Sequence, residues 1–224
     1  MFKLLKLISD WSEVWALIIP ISILQLRRKQ PGFLKPVILY LWVALFLNLS
    51  GDIIGDFKSY LPGWLQSNNV LYNIHSLVRF ACFSYFFRLI GKTYRNVLNK
   101  IINMVALIFI VYNFIFIEDF FDPNHLSGNL LATEAYLLLV YCMQYYLSIL
   151  RAQTEEFYRG KDFWVVTGLS IYVVINFFVF LFYVPFVKAN PGLADKIWSI
   201  HNVAYITLCI LIAKAFYEPA RHQY

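Results

Sequence analysis

Charge is scarce in this sequence: only 14% of its 224 residues are Asp, Glu, Lys or Arg, and 60% are hydrophobic. An ordinary soluble domain is about 25% charged and about 45–50% apolar, so a water-facing fold has nowhere to put the excess. Cysteine is scarce too. Cys82, Cys142 and Cys209 each sit inside an apolar run, with no CxxC and no histidine at ligand spacing. That pattern indicates neither a disulfide framework nor a structural zinc, and reads as small apolar residues in helix interfaces. The formal charge of +6 is scattered over short loops with no nucleic-acid motif beside it, so nucleic acid is not an expected partner. The first apolar run, Trp11 to Leu26, has no small-residue cleavage site and ends directly on Arg27, Arg28 and Lys29. It is expected to remain as a helix rather than leave as a signal peptide. No linker long enough for a second domain and no internal repeat interrupts the chain.

What the sequence has is a series of apolar runs rich in its 21 Phe and 16 Tyr, each near the roughly 20 helical residues that cross a hydrocarbon layer. Apolar length and breakers predict spans at 11–26, 36–57, 68–90, 100–117, 129–150, 163–183 and 195–217. The breakers fall between them: Pro31, Gly32 and Pro36; Pro62 and Gly63; Gly91; Pro123 to Gly128; Gly160; and Asn190, Pro191 and Gly192. Pro185 is read as terminating the sixth helix. The expected fold is all-α, a single seven-transmembrane-helix bundle over residues 1–224.

Cationic loops are retained in the cytoplasm, and here they alternate. One side holds Arg27, Arg28, Lys29, Lys35, Arg88, Lys92, Arg95, Lys100, Arg151, Arg159, Lys161, Lys214 and Arg221. The other holds Asp56, Lys58, Glu118, Asp119, Asp122, Lys188, Asp195 and Lys196, with Lys3 and Lys6 the only residues arguing the opposite way. The N-terminus is therefore expected outside and the C-terminus in the cytoplasm. Trp11, Trp15, Trp64, Trp164 and Trp198 near the span ends fit interfacial anchoring.

An ionisable group in hydrocarbon costs about 2.5–3.5 kcal/mol even on the lenient insertion scale, so the few within the spans should face the interior and find partners. The ionisable and amide side chains so placed are Asn48 and Asp52 on the second span, His75 and Arg79 on the third, Glu134 on the fifth, Asn176 on the sixth, and His201 with Asn202 on the seventh. At about 1.5 Å per residue, His75, Glu134 and His201 lie roughly 8–11 Å below the outer boundary, with Asp52 and Asn176 reaching a similar level from the other side. Arg79 falls deeper and needs a carboxylate; Asp52 and Glu134 are the candidates, with Asn48 as a supporting hydrogen bonder. Such a layer suits a polar pocket open to the outside that binds a polar or cationic ligand, holds a metal through Asp52, His75, Glu134 and His201, or moves a proton. It equally suits a buried network that fixes helix packing. Retinal is not expected, because Lys214 lies too near the cytoplasmic end for a Schiff-base lysine, and one histidine per helix is thin support for haem. His125 and His222 are read as solvated.

The runs Leu71 to Phe80 (LYNIHSLVRF), Asp162 to Tyr172 (DFWVVTGLSIY) and Ile197 to Ala213 (IWSIHNVAYITLCILIA) resemble a functionally uncharacterised group of small bacterial seven-helix membrane proteins. The likeness implies the fold and a place in the bacterial cytoplasmic (inner) membrane, and carries no activity. A fainter likeness is to the alkaline ceramidase and progestin-receptor-like superfamily of membrane hydrolases, which combine a Ser, an Asp and three His. Asp52, His75 and His201 match that pattern, but the second His of the terminal-helix pair is missing: Tyr205 stands four residues after His201. Two functions follow as expectations. One is a receptor-like or ligand-binding membrane protein acting through a cytoplasmic or membrane partner. The other is a membrane-embedded lipid hydrolase, metal-dependent or not, with Asp52, His75, Glu134 and His201 as ligands or acid/base groups. A transporter finds no paired broken helices in the sequence.

Overall fold

The breakers do their expected work locally. Pro36 occupies the first turn of the second helix, where its missing N–H would have had no partner anyway. A 3-10 turn at Lys58–Tyr60 tightens that helix's far end before Pro62. Asn190 Oδ1 accepts the Gly192 N–H at 3.1 Å, a side-chain turn that opens the short 3-10 segment Pro191–Leu193. Between such stops the computed structural model, which describes residues 11–62, 67–91, 93–120, 126–152 and 160–219, contains seven α-helices and no strand among those residues. They are α1 (Ser12–Leu26), α2 (Lys35–Phe57), α3 (Asn69–Ile90), α4 (Thr93–Phe116), α5 (Gly128–Ala152), α6 (Lys161–Ala189) and α7 (Ala194–Tyr217). Lys3, Lys6, Gly63, Trp64, Lys92, Asp122, Pro123, His125, Arg159, Arg221 and His222 lie outside the described residues, as do the side chains of Arg95, Lys188 and Asp195.

One element corrects its expectation. Pro185 does not terminate the sixth helix, which runs on to Ala189. A proline forfeits one backbone bond and crowds one carbonyl, a loss an apolar helix tolerates near its end.

The packing is a ring with one helix outside it. α1 packs on α2, α2 on α3, α3 on α5, α5 on α6, α6 on α7, and α7 returns to α1; α4 leans only on α3 and α5 in comparable contacts. The α6–α7 seam is the most extensive. Gly168 explains its closeness, since a Cβ there would stand 3.0 Å from Leu211 Cβ and 3.4 Å from the Leu208 backbone. Small residues let membrane helices approach in this way. The ring interior is filled by Tyr40, Phe83, Phe86, Tyr141, Tyr172, Tyr205 and Phe216, all essentially inaccessible.

The exterior is apolar on every helix, with Leu26, Phe46, Ile108, Phe116, Leu150, Phe178 and Val203 among many large side chains left exposed. That is far more than the few hundred Å² of apolar patch a soluble monomer carries. Four helical stretches are long and apolar enough to cross a membrane: Gly32–Tyr60, Gly128–Arg151, Lys161–Tyr183 and Lys196–Tyr217. Ser12–Leu26 and Lys100–Phe116 are apolar but shorter. α3 is the polar one, and its polar groups are turned inward: Asn73, His75, Ser76, Arg79 and Ser84 are all buried.

Candidate functional site in the helix ring

Arg79 sets the first constraint, since a guanidinium inside an apolar bundle must be paired. It finds Glu134, not Asp52. Arg79 Nε donates to Oε1 at 2.6 Å and Nη2 to Oε2 at 2.5 Å, the bidentate fork that suits a carboxylate, while Ser76 Oγ donates to Oε2 at 2.6 Å. The face of the guanidinium lies 4.9 Å from the Tyr172 ring centre, so α3, α5 and α6 meet on one charge. Both ionised side chains are at most 5% exposed.

The second constraint is His75, one turn before Arg79 on α3. Tyr40 of α2 donates to the Tyr205 hydroxyl of α7 at 3.5 Å, so the Tyr40 oxygen is free to accept from His75 Nε2 at 3.2 Å. Asn48 Nδ2 also donates to Tyr205, at 3.4 Å, and to the Glu13 carbonyl at 3.5 Å. Asn48 thus braces α1, α2 and α7 rather than supporting Arg79, which corrects the role expected of it.

His201 holds the third position. Asn176 Nδ2 donates to the Tyr172 carbonyl at 2.8 Å, which turns Asn176 Oδ1 toward His201 Nδ1, 2.5 Å away. An amide oxygen only accepts, so Nδ1 carries a proton and the tautomer is assigned by the network. His201 Nε2 faces Glu13 Oε1 at 3.5 Å. This contact brings α1 against α7 inside the ring. Tyr205 stacks on His201 at 6.2 Å and 14°, and Trp198, Phe180 and Tyr172 close round the same ring with centroids 5.0–5.8 Å away.

Every ring helix contributes to this constellation; among the described residues α4 contributes none. Of the residues singled out in the sequence, His201 and Asn176 touch, Arg79 and Glu134 touch, and His75 joins the His201 side through Tyr40 and Tyr205. Asp52 is half-buried one turn beyond Asn48. Asn202 is buried beside His201 on α7. Sequence reasoning missed Glu13, the one acid in an otherwise apolar first helix, because it falls at the boundary where a carboxylate is normally solvated. It also missed Tyr40, Tyr172 and Tyr205, which are indistinguishable by composition from the other tyrosines.

A narrow crevice between α2 and α3 reaches Asn48 and His75 past Leu47, Gly51, Leu71 and Tyr72, with room inside for about one water. A second slot, also with room for about one water, runs between α3, α4 and α5 to Ser76 and Glu134 through walls that include Phe80, Phe109 and Leu130. Among the described residues no three His, Cys, Asp or Glu side chains gather at metal-binding distance. Compared with protein-family models, with curated proteins and with solved structures, the chain matches none of them.

Proposed function

We propose that this chain is a seven-span protein of the bacterial cytoplasmic membrane, N-terminus outside and C-terminus in the cytoplasm. In this reading the ring constellation is a receptor-like site for a small polar or cationic ligand. Three features favour seven spans. The seven helices coincide with the seven apolar runs, the exterior is apolar on all of them, and α3, too polar for a hydropathy criterion, buries its polar groups in the ring. Orientation rests on the loop charges.

The ligand-binding reading is carried by one observation: the α2–α3 crevice leads from the surface to His75 and Asn48, and these connect through Tyr40 and Tyr205 to the Glu13–His201 pair. A cation entering there would meet His75, the Tyr72 ring and, beyond them, the Glu13 carboxylate beside His201. Because Glu13 lies on α1 and His201 on α7, a positive charge drawn to that carboxylate couples occupancy to the seating of α1 against α7. The described loops are too short to hold an output domain, so the signal would pass to a cytoplasmic or membrane partner.

The hydrolase reading has less to stand on. Glu134 is engaged by Arg79 and Ser76, and His75 and His201 lie on different sides of Tyr205.

The test is a thermal-shift and native mass spectrometry screen of the purified protein against small polar and cationic compounds, with His75→Phe and Glu13→Gln as site variants. A compound that stabilises wild type and loses its effect in both variants supports the site. No stabilising compound, no retained ligand and no co-purifying partner would sink it. Metal analysis separates the alternative: one equivalent of zinc, lost on His75→Ala or His201→Ala, would revive the hydrolase. Reporter fusions after residues 30 and 60 test the direction, the first expected in the cytoplasm and the second outside.

A further inference from the structure

The far end of the ring, roughly 22 Å along α7 from His201, carries a separate cavity. It measures about 430 Å³ and lies between the last turns of α1 and α7 and the first turn of α6, within the ~300–1,000 Å³ usual for small-ligand sites. Arg27, Arg28, Lys29, Gln30 and Lys161 line it, with Phe216 as an apolar wall.

Its framework is already held in place. Lys161 is 7% exposed; its Nζ donates to Gln30 Oε1 at 2.9 Å and to the Ala215 and Phe216 carbonyls at 3.2 and 3.3 Å. These are the C-terminal carbonyls of α7, where a cation is favoured. Gln30 Nε2 donates to the Arg27 carbonyl at 2.7 Å and to the Phe216 carbonyl at 3.1 Å, so the Arg27–Gln30 loop is pinned to α7 as a fixed rim. Arg27 lies over the Tyr217 ring at 5.1 Å.

The charge balance is one-sided. Among the described residues no carboxylate pairs with Arg27, Arg28 or Lys29, and the one acid at the cavity, Glu218, is 3.0 Å from Lys214. Four cations around one pocket exceed what a single carboxylate would answer. Two guanidiniums with two ammoniums suit the several oxygens of a phosphate ester.

We infer that this cavity is a binding site for a phosphate ester, held by Arg27, Arg28 and Lys29 over the positive floor supplied by Lys161. The inference rests on the membrane-spanning reading but not on its direction. At the bundle end, flanked by Leu26 and Tyr217, 79% and 56% exposed, the site lies where an anionic phospholipid presents its phosphodiester, with acyl chains free to run along α1 and α7. A soluble phosphate monoester has the same chemistry, and the experiment separates the two.

The full chain is placed in phosphatidylcholine nanodiscs containing a minority of phosphatidylglycerol, and retained lipid is counted by native mass spectrometry. In parallel, glycerol 3-phosphate is added to detergent-solubilised protein and melting is followed. Neither format depends on membrane orientation, so a failed topology assignment leaves the result readable. The exposed pair R28Q/K29Q is compared with K100Q/R151Q, exposed cations outside the cavity. Preferential retention of phosphatidylglycerol, weakened about thirtyfold by R28Q/K29Q and unchanged by K100Q/R151Q, assigns the site to lipid. Stabilisation by glycerol 3-phosphate, lost in R28Q/K29Q and without lipid preference, assigns it to a soluble ester. Neither effect, or an equal loss with both charge pairs, overturns the inference and leaves these residues as a topology signal alone.

Discussion

Replacing Glu134 by Gln changes one oxygen to an amide and leaves the Arg79 guanidinium in an apolar ring without a counter-charge. Two scales compete. Hydrogen bonds between helices in a bilayer average about 0.6 kcal/mol, because the unfolded but inserted chain finds other partners. Breaking a buried ion pair by removing one member costs about 3–5 kcal/mol. The geometry selects the larger scale, since the fork at 2.5 and 2.6 Å, the Ser76 bond and the Tyr172 face all converge on this charge pair. For a chain of this size about 1 kcal/mol moves the melting temperature by roughly 2–4 °C. Glu134→Gln is therefore expected to melt about 6–20 °C lower in detergent. The apolar double variant Arg79→Met with Glu134→Leu should melt higher than Glu134→Gln, because it leaves no stranded charge. Fluorescence-detected thermal unfolding of wild type, Glu134→Gln, Arg79→Met and the double variant completes the cycle. A Glu134→Gln shift of only about 1–2 °C, or a double variant no better than the sum of the singles, would show that the pair is worth no more than an ordinary interhelical hydrogen bond.

Asn48→Leu is a deliberate contrast: its bonds at 3.4 and 3.5 Å are long, so the same assay should show a loss of no more than about 1 kcal/mol, and a larger one would mean Asn48 carries something beyond these contacts. Gly168→Ala drives a Cβ to 3.0 Å from Leu211 and should cost about 1–3 kcal/mol by overpacking, read as lower melting; an unchanged or raised value would show that the α6–α7 seam can open without loss. Cys82, Cys142 and Cys209 are buried, so intact-mass measurement should find none modified by N-ethylmaleimide in the native state and all three modified after unfolding; rapid native labelling at any of them contradicts its placement.

The helices were legible in the sequence because apolar length and breakers are local signals. Even the Pro185 discrepancy concerns one turn at a helix end. Arg79 demanded a carboxylate, and residue spacing reduced the candidates to two; choosing Glu134 over Asp52 needed to know that α3 lies against α5, a neighbour relation that no local pattern encodes. The same gap hid α4's place outside the ring, since α4 reads as one more apolar helix. Glu13 was illegible for another reason. Its meaning depends on the packing of α7 beside it, which puts His201 Nε2 3.5 Å from its carboxylate. Three tyrosines became informative only when their hydroxyls and faces were seen to bridge helices far apart in sequence.

The partnership of α1 with α7 has a consequence for how the protein is made. Glu13 belongs to α1 and His201 to α7, so this acid waits for its imidazole until the helices between them have been made. Arg79 waits less long, since Glu134 arrives with α5. Until α7 docks, Glu13, Asn48 and Tyr40 are each short of a partner seen in the finished ring. A ribosome stalled before α7 would hold a six-helix intermediate with an open, polar seam that the finished ring no longer shows.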